Sequence, residues 1–209
     1  MEQQRIEQIL TDYIKQNLSP TKQERDNISE KYQELQSILE GRAFQNGSYA
    51  RYTSTTPVND LDVFYVLPES VYKTIAEVTI DPDELDMSNI LEDLASSLRK
   101  AYPNSVNIKV QPHSIGIYFS SEEDFSIDVV PAIPTNDEMF WVPETAHFSV
   151  EKRRKIYESF PRLNWIKSDP KGYIQQAKQV DEKSMGRFRK AVKFVIYGLL
   201  VASLFGLMM

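Results

Sequence analysis

The 209-residue chain has no cysteine. Disulfides and thiolate zinc sites are therefore excluded, and a reducing compartment is permitted. Histidine is almost as scarce. His113 and His147 are far apart and not at ligand spacing, which argues against a histidine-based metal site. There is no internal repeat, low-complexity tract or heptad array. The opening residues, MEQQRIEQIL, are polar and periodic, so no signal peptide is expected before the fold, and the cytoplasm is the expected location. What is present, 41% hydrophobic and 26% charged residues, suits a soluble globular protein with enough chain to bury a core.

The net charge of −6 conceals an asymmetry. Residues 151–193 carry 13 Lys/Arg against 5 Asp/Glu, a balance of +8, which leaves −14 on the rest. An acidic body with a basic C-terminal segment suits an anionic ligand held between them, if the acidic part has a reason to hold metal ions. The run EKRRK at 151–155 is followed by Ile156, Tyr157 and Phe160 at helical spacing. It reads as the solvated face of an amphipathic helix, and no stable nucleic-acid partner is expected. Trp141 and Trp165 read as core anchors rather than base-stacking platforms, and His113 as the occupant of a turn between strands.

Periodicity predicts a helix over 4–17, with Ile6, Ile9, Leu10, Tyr13 and Ile14 on one face. Ser19-Pro20 restarts the chain, and Thr21 with Glu24 has capping-box spacing for a second helix that turns Ile28, Tyr32, Leu35 and Leu39 inward. Gly41 is placed to end it. A short strand is predicted at 42–46 and another at 60–67. After an acidic, irregular segment at 69–87, a helix over 87–102 turns Ile90, Leu91, Leu94 and Leu98 inward, and Pro103 stops it. Strands follow at 106–111, 114–120 and 125–130. From about 149 the pattern is helical and basic, broken by Pro161 and Pro170, with a last helix from Ser184. This order argues for an α+β lobe with a mixed sheet over 1–148, followed by a helical lobe over 149–209.

Asp60 and Asp62 stand in the strand DLDVFYVL, two residues apart, and so on one face with Cα atoms about 6.5–7 Å apart. Two carboxylates on one strand face repel each other and lose hydration if buried. A cation between them removes the cost. Mg²⁺ is the natural candidate, because it takes hard oxygen ligands and keeps substrate phosphates in its shell. A third carboxylate is then expected on a neighbouring strand, and Asp128 in FSIDVVPA, an otherwise uncharged apolar run, supplies it. Three such aspartates can hold two metal ions, one activating an attacking hydroxyl and the other neutralising a leaving pyrophosphate. Gly47 lets backbone approach phosphates closely, and Ser48 offers an N–H and a hydroxyl. A lone Gly-Ser or a lone Asp-x-Asp says little. Both together, with eleven residues between Ser48 and Asp60 and a third apolar-flanked Asp later, point to a metal-nucleotide site.

At these residues the chain resembles the polymerase-β-like nucleotidyltransferases, and more closely the bacterial CD-NTases, relatives of cyclic GMP-AMP synthase and oligoadenylate synthase. The shared pattern is Gly47-Ser48, then Asp60-Leu61-Asp62, then Asp128. Its context is Pro20-Thr21 at a helix start, FQNGSYARYTST, IDVVPA, WIKSDPKGY from Trp165 and GRFRKAVKFV from Gly186. The resemblance covers about residues 5–195. It implies synthesis of cyclic di- or trinucleotide second messengers from ATP and other NTPs with two Mg²⁺ ions, Mn²⁺ substituting, in anti-phage signalling, with any effector reached through the product. It implies that Asp60, Asp62 and Asp128 are catalytic metal ligands, Asp128 acting as base or base-like ligand for the attacking ribose hydroxyl, and that Gly47 and Ser48 hold the triphosphate.

The resemblance lapses at the C-terminus. Ile196 and Gly198 occupy positions where such proteins carry a Lys and an aromatic, and a later Ser-and-aromatic segment has no counterpart. Residues 194–209 hold no charge. A truncated or frameshifted reading frame is the first explanation, a core helix the second and a short membrane anchor, below the roughly 20 residues a span needs, the third. Two rival readings follow: a relative that binds nucleotide without turnover, and a transferase of the same fold acting on RNA or a small molecule.

Overall fold

The structure, a computed structural model, describes residues 2–71, 88–102, 106–119, 125–143 and 165–204. The acidic segment at 72–87, Pro103, His147, the basic helix expected at 151–160, Pro161 and the last five residues lie outside them.

Helix α1 (Glu2–Tyr13) runs into a π-helical segment, Ile14–Leu18. Helix α2 (Lys22–Ile38) begins with the expected capping box. The Thr21 hydroxyl accepts from the Glu24 N–H at 3.2 Å, and the Glu24 carboxylate accepts from the Thr21 N–H at 2.6 Å. The same carboxylate reaches outward, accepting from Thr56 Oγ1 and from the Val58 N–H, both at 2.9 Å. One side chain thus caps a helix and fixes the segment entering the aspartate strand. The end of α2 differs in detail from expectation. Glu40 (φ 54°) is the first left-handed residue and Gly41 (φ 71°) the second. The Gly41 N–H returns to the Gln36 carbonyl at 2.8 Å and the Glu40 N–H to that of Ser37 at 3.3 Å, closing both bonds of a Schellman ending.

Among the described residues seven strands follow: β1 (Ala43–Gln45), β2 (Asp60–Val66), β3 (Asn107–Val110), β4 (Ile115–Tyr118), β5 (Ser126–Pro134), β6 (Phe140–Pro143) and β7 (Trp165–Ser168). A four-residue helix α3 (Gly47–Ala50) links β1 to β2, and α4 (Ser88–Ala101) precedes β3. The main sheet runs β1-β2-β5-β4-β3, with β6 on the far part of β5 and β7 on β6. β2 and β5 are parallel and the other pairs antiparallel, so the sheet is mixed as expected. Periodicity does not predict β6 or β7, and β7 stands where the pattern from about 149 is expected to be helical. FWVP and WIKS are four residues each, too short for alternation to identify them.

Alternation along β2 and β5 sorts the two faces. Leu61, Val63, Ile127 and Val129 are fully buried under α2 and α4, whose Ile28, Leu35, Leu91 and Leu98 close the core. The predicted inward positions of those helices are therefore the buried ones, Ile90 and Tyr32 being only partly covered. On the other face, beyond the aspartates, Phe44, Phe64 and Phe140 form a smaller aromatic cluster.

Pro170, expected to divide the helical pattern, does so by standing at the start of a new helix. Helix α5 (Pro170–Lys183) has Asp169 as N-cap, accepting from the Gly172 N–H at 2.7 Å, and a proline needs no hydrogen-bond partner in a first turn. Helix α6 (Arg187–Leu204) starts three residues later than expected, after Met185 (φ 56°) and Gly186 (φ 78°), with Ser184 ending α5 and its hydroxyl accepting from the Phe188 N–H. α6 lies along the N-terminal helices. Arg187 pairs with Glu7 at 3.1 Å, Lys190 donates to Thr11 Oγ1 at 2.9 Å and Lys193 to Ser19 Oγ at 3.1 Å.

The expected inward face of the first helix divides. Ile14 is buried, whereas Ile6 and Ile9 remain 54% and 58% exposed. Ile6, Leu10 and Ile14 line a groove of about 490 Å³ with Ala191, Phe194 and Val195 of α6. Beyond Phe194, α6 shows Val195, Leu199 and Leu200 largely to solvent. No helix among the described residues is long and apolar enough to cross a membrane.

Candidate active site

The parallel pairing of β2 with β5 sets Asp62 directly opposite Asp128, and Asp60 opposite Ser126. Paired residues on adjacent strands point to the same side, so all three aspartates occupy the sheet face turned away from the core. Neighbouring strands are about 4.8 Å apart, which fixes the backbone separation of Asp62 and Asp128. Asp60, at the open end of β2, is exposed, and the other two are partly buried.

Electrostatics follows from that placement. Burial pushes the Asp62 carboxyl above its ordinary range, the charges of Asp60 and Asp128 push it further, and Arg51 opposes them. Burial likewise raises Asp128, as does Asp60, against the opposing influence of a Gln111 hydrogen bond and the nearby His113. Gln111 Nε2 donates to Asp128 Oδ1 at 3.1 Å. Ser114 Oγ in turn donates to Gln111 Oε1 at 2.8 Å, fixing the orientation of the amide. Gly116 pairs with Asp128 across β4 and leaves room for this network, since a Cβ there would come 2.6 Å from Gln111 Nε2. The turn between β3 and β4 therefore supports the third carboxylate. His113, read from sequence as a turn occupant, lies near enough to Asp128 to affect its charge, and Gln111 and Ser114 were not singled out. Their signal was hidden because polar residues in a QPHS turn look like ordinary loop chemistry.

The Gly-Ser pair lies against the same site. Gly47 has φ 68° and begins α3, and a Cβ at this position would sit 1.7 Å from Asp62 Oδ2. Both conformation and space demand glycine. The Asn46 N–H donates to the Asp62 carbonyl at 2.8 Å, locking turn and strand together. The Ser48 carbonyl accepts from the N–H groups of Thr53 and Ser54 at 2.9 and 3.2 Å, so the TST segment folds back over the turn. Asn46 Oδ1 is buried here without a hydrogen-bond partner among the described residues.

The donor set suits a hard divalent cation in chemistry: carboxylates on adjacent strands, two of them held by burial and like charge where a cation would relieve them. Among the described residues no three acidic or histidine side chains converge on one metal position as they stand. What the backbone supplies is the register that sets Asp62 beside Asp128 on one face.

A family model described as the Second Messenger Oligonucleotide or Dinucleotide Synthetase domain (SMODS) matches residues 5–181. Several solved structures share the fold. CdnC of E. coli MS115-1, solved with ATP, is 18% identical with a TM-score of 0.61 over 90% of this chain and 55% of that one. CdnE cyclic dinucleotide synthase of Elizabethkingia meningoseptica, solved with GTP and Apcpp, is 15% identical with a TM-score of 0.57 over 94% and 67%. DncV cyclic AMP-GMP synthase of Vibrio cholerae, in complex with nonhydrolyzable GTP, is 14% identical with a TM-score of 0.55 over 89% and 64%. The chain thus spans about half the length of the CdnC structure. No curated protein matches it. With most of its length matched by the SMODS model and with this mixed-sheet fold, the chain belongs to the second messenger oligonucleotide or dinucleotide synthetase family, the bacterial CD-NTases.

Proposed function

We propose that this chain carries the metal- and nucleotide-binding half of a synthase that joins ATP and other NTPs into a cyclic di- or trinucleotide messenger for anti-phage signalling. The observation that carries the reading is the β2–β5 register, which sets Asp62 beside Asp128 on the face opposite the core with Gly47 packed on the Asp62 carboxylate. Family membership supports the reaction class. ATP or GTP in the solved CdnC, CdnE and DncV structures supports NTPs as substrates.

Asp60, Asp62 and Asp128 would hold Mg²⁺ or Mn²⁺, which supplies charge neutralisation at the triphosphate and a more acidic attacking hydroxyl. The protein's own groups do the rest. Gly47 and Ser48 present backbone and hydroxyl donors to the triphosphate, with no Cβ in the way. Asp128, held at Oδ1 by Gln111, is oriented toward the same face as Asp62 and is the group assigned to take the ribose hydroxyl proton.

The test is incubation of purified protein with labelled NTP mixtures and Mg²⁺, followed by chromatography. Cyclic product should form and disappear in the Asp60→Asn, Asp62→Asn double variant. Folded protein that neither forms product nor binds any NTP overturns the proposal. Binding without product sustains the nucleotide site and removes the turnover.

A further inference from the structure

The α5–α6 hairpin reaches the Gly-Ser turn through one side chain. Arg189 Nε donates to the carbonyl of Arg51, the residue that ends α3, at 2.9 Å. Its NH1 lies 3.3 Å from Asp181 Oδ2, and Asp181 Oδ1 also accepts the Arg189 backbone N–H at 3.0 Å. The two side chains are only 24% and 14% exposed. The guanidinium also lies 5.0 Å from the centre of the Tyr52 ring. Tyr52 has φ 60°, a conformation that non-glycine residues rarely adopt and that persists where surroundings impose it. The other basic residues of α6 with assigned bonds turn elsewhere: Arg187 to Glu7, Lys190 to Thr11 and Lys193 to Ser19.

The turn is tied internally as well. The Arg51 N–H donates to the Gly47 carbonyl at 3.2 Å, and residues 53 and 54 close on the Ser48 carbonyl. Displacing the Arg51 carbonyl therefore displaces the frame that presents Gly47 and Ser48. Carbonyl, carboxylate and aromatic ring are served at once by a planar fork, which a lysine ammonium does not provide.

From this geometry we infer that Arg189, braced by Asp181, is a positioning residue for the nucleotide-binding turn, through which the helical hairpin sets the placement of Gly47 and Ser48. The inference rests on the nucleotide reading above for its consequence, though not for the contact itself. Titration calorimetry with a nonhydrolysable ATP analogue and Mg²⁺ reads the consequence, and hydrogen exchange at residues 48–54 reads the contact. Arg189→Met and Arg189→Lys should each weaken binding about tenfold, the size of one charge-assisted hydrogen bond, and speed exchange over 48–54. Arg187→Met, which removes an equal charge from the same helix, should stay within about twofold of wild type in both readouts. If Arg189→Met fails to fold, Asp181→Asn carries the test, with a smaller change in the same direction. Wild-type affinity in Arg189→Lys would reduce the role to charge alone and overturn the inference, as would unchanged exchange over 48–54 in the variants. If wild-type protein binds no analogue, the nucleotide reading fails separately, and the exchange measurement alone decides whether Arg189 holds the turn.

Discussion

Replacing Asp62 by Asn removes a charge from a place where, without a cation, charge is unfavourable. Asp62 sits one strand spacing from Asp128 and two residues from Asp60, partly buried against Gly47. Burial and both neighbours raise its folded pKa, while in the unfolded chain it titrates near its ordinary value of about 4. Between those two values the native state holds a proton that the unfolded state has released. Stability therefore falls as pH rises through that window, and stays lower above it. Two unit charges about 5 Å apart repel by about 3 kcal/mol at an effective dielectric of about 20, and water reaching a partly exposed site cuts this to about 1–2 kcal/mol. For a chain of this size each kcal/mol moves Tm by about 2–4 °C. In EDTA at pH 7.5, Asp62→Asn should thus melt about 2–8 °C above wild type, with the gap closing as the pH approaches 4. Millimolar Mg²⁺ should raise the wild-type Tm and leave the variant nearly unmoved. Differential scanning calorimetry across pH, with and without Mg²⁺, reads all of this. A variant that melts below wild type in EDTA at pH 7.5 would refute the claim that the carboxylates are mutually strained.

Two further substitutions probe the supports of the site. Gly47→Ala forces a Cβ to 1.7 Å from Asp62 Oδ2 at φ 68°; it should cost at least about 1–2 kcal/mol in urea unfolding, from the left-handed backbone alone, and weaken ATP binding more than tenfold. Glu24 is partly buried, which raises its pKa, but hydrogen bonds from Thr21, Val58 and Thr56 outweigh burial and hold it below its ordinary value. Its stabilisation is present above the unfolded pKa and lost as pH falls through the folded one. Glu24→Gln should therefore cost about 1–2 kcal/mol at pH 7, with the difference from wild type beginning to shrink below the ordinary carboxylate pKa of about 4.3 and vanishing once the pH is below the folded value, in urea titrations across that range.

The sequence pattern was most informative where one physical demand dominates. Alternation in β2 and β5 separated Leu61, Val63, Ile127 and Val129 from the aspartates, and the Thr21–Glu24 spacing announced the start of α2. The short strands β6 and β7 lacked enough residues for a period to show. Pro170 marked a boundary of the helical pattern, and Asp169 just before it is the cap that makes the boundary a helix start. The apolar stripe of α1 correctly marked a helix but not a buried one, because amphipathicity says that a face should be covered and not by what. At the site, the carboxylates and Gly47 were legible from their cost. Gln111 and Arg189 were not, since each acts through a partner distant in sequence, Asp128 and Arg51, and Ser114 matters only through Gln111; a single sequence carries no trace of those pairings.

The direct pairing of Asp62 with Asp128 also has a consequence for how such a protein can change. These two residues are 66 positions apart in the chain, and what aligns them is the strand register rather than the length of the intervening connection. Insertions between the strands that spare the Gln111–Ser114 turn and Gly116 leave the site untouched so long as the register holds. A slip of one residue would instead carry Asp128 into the core and Ile127 or Val129 onto the site face. The aliphatic residues under α2 and α4 thus act as the site's gauge. Variation is cheap in loops that make no bond to the site and costly in the apolar side chains that never face a ligand.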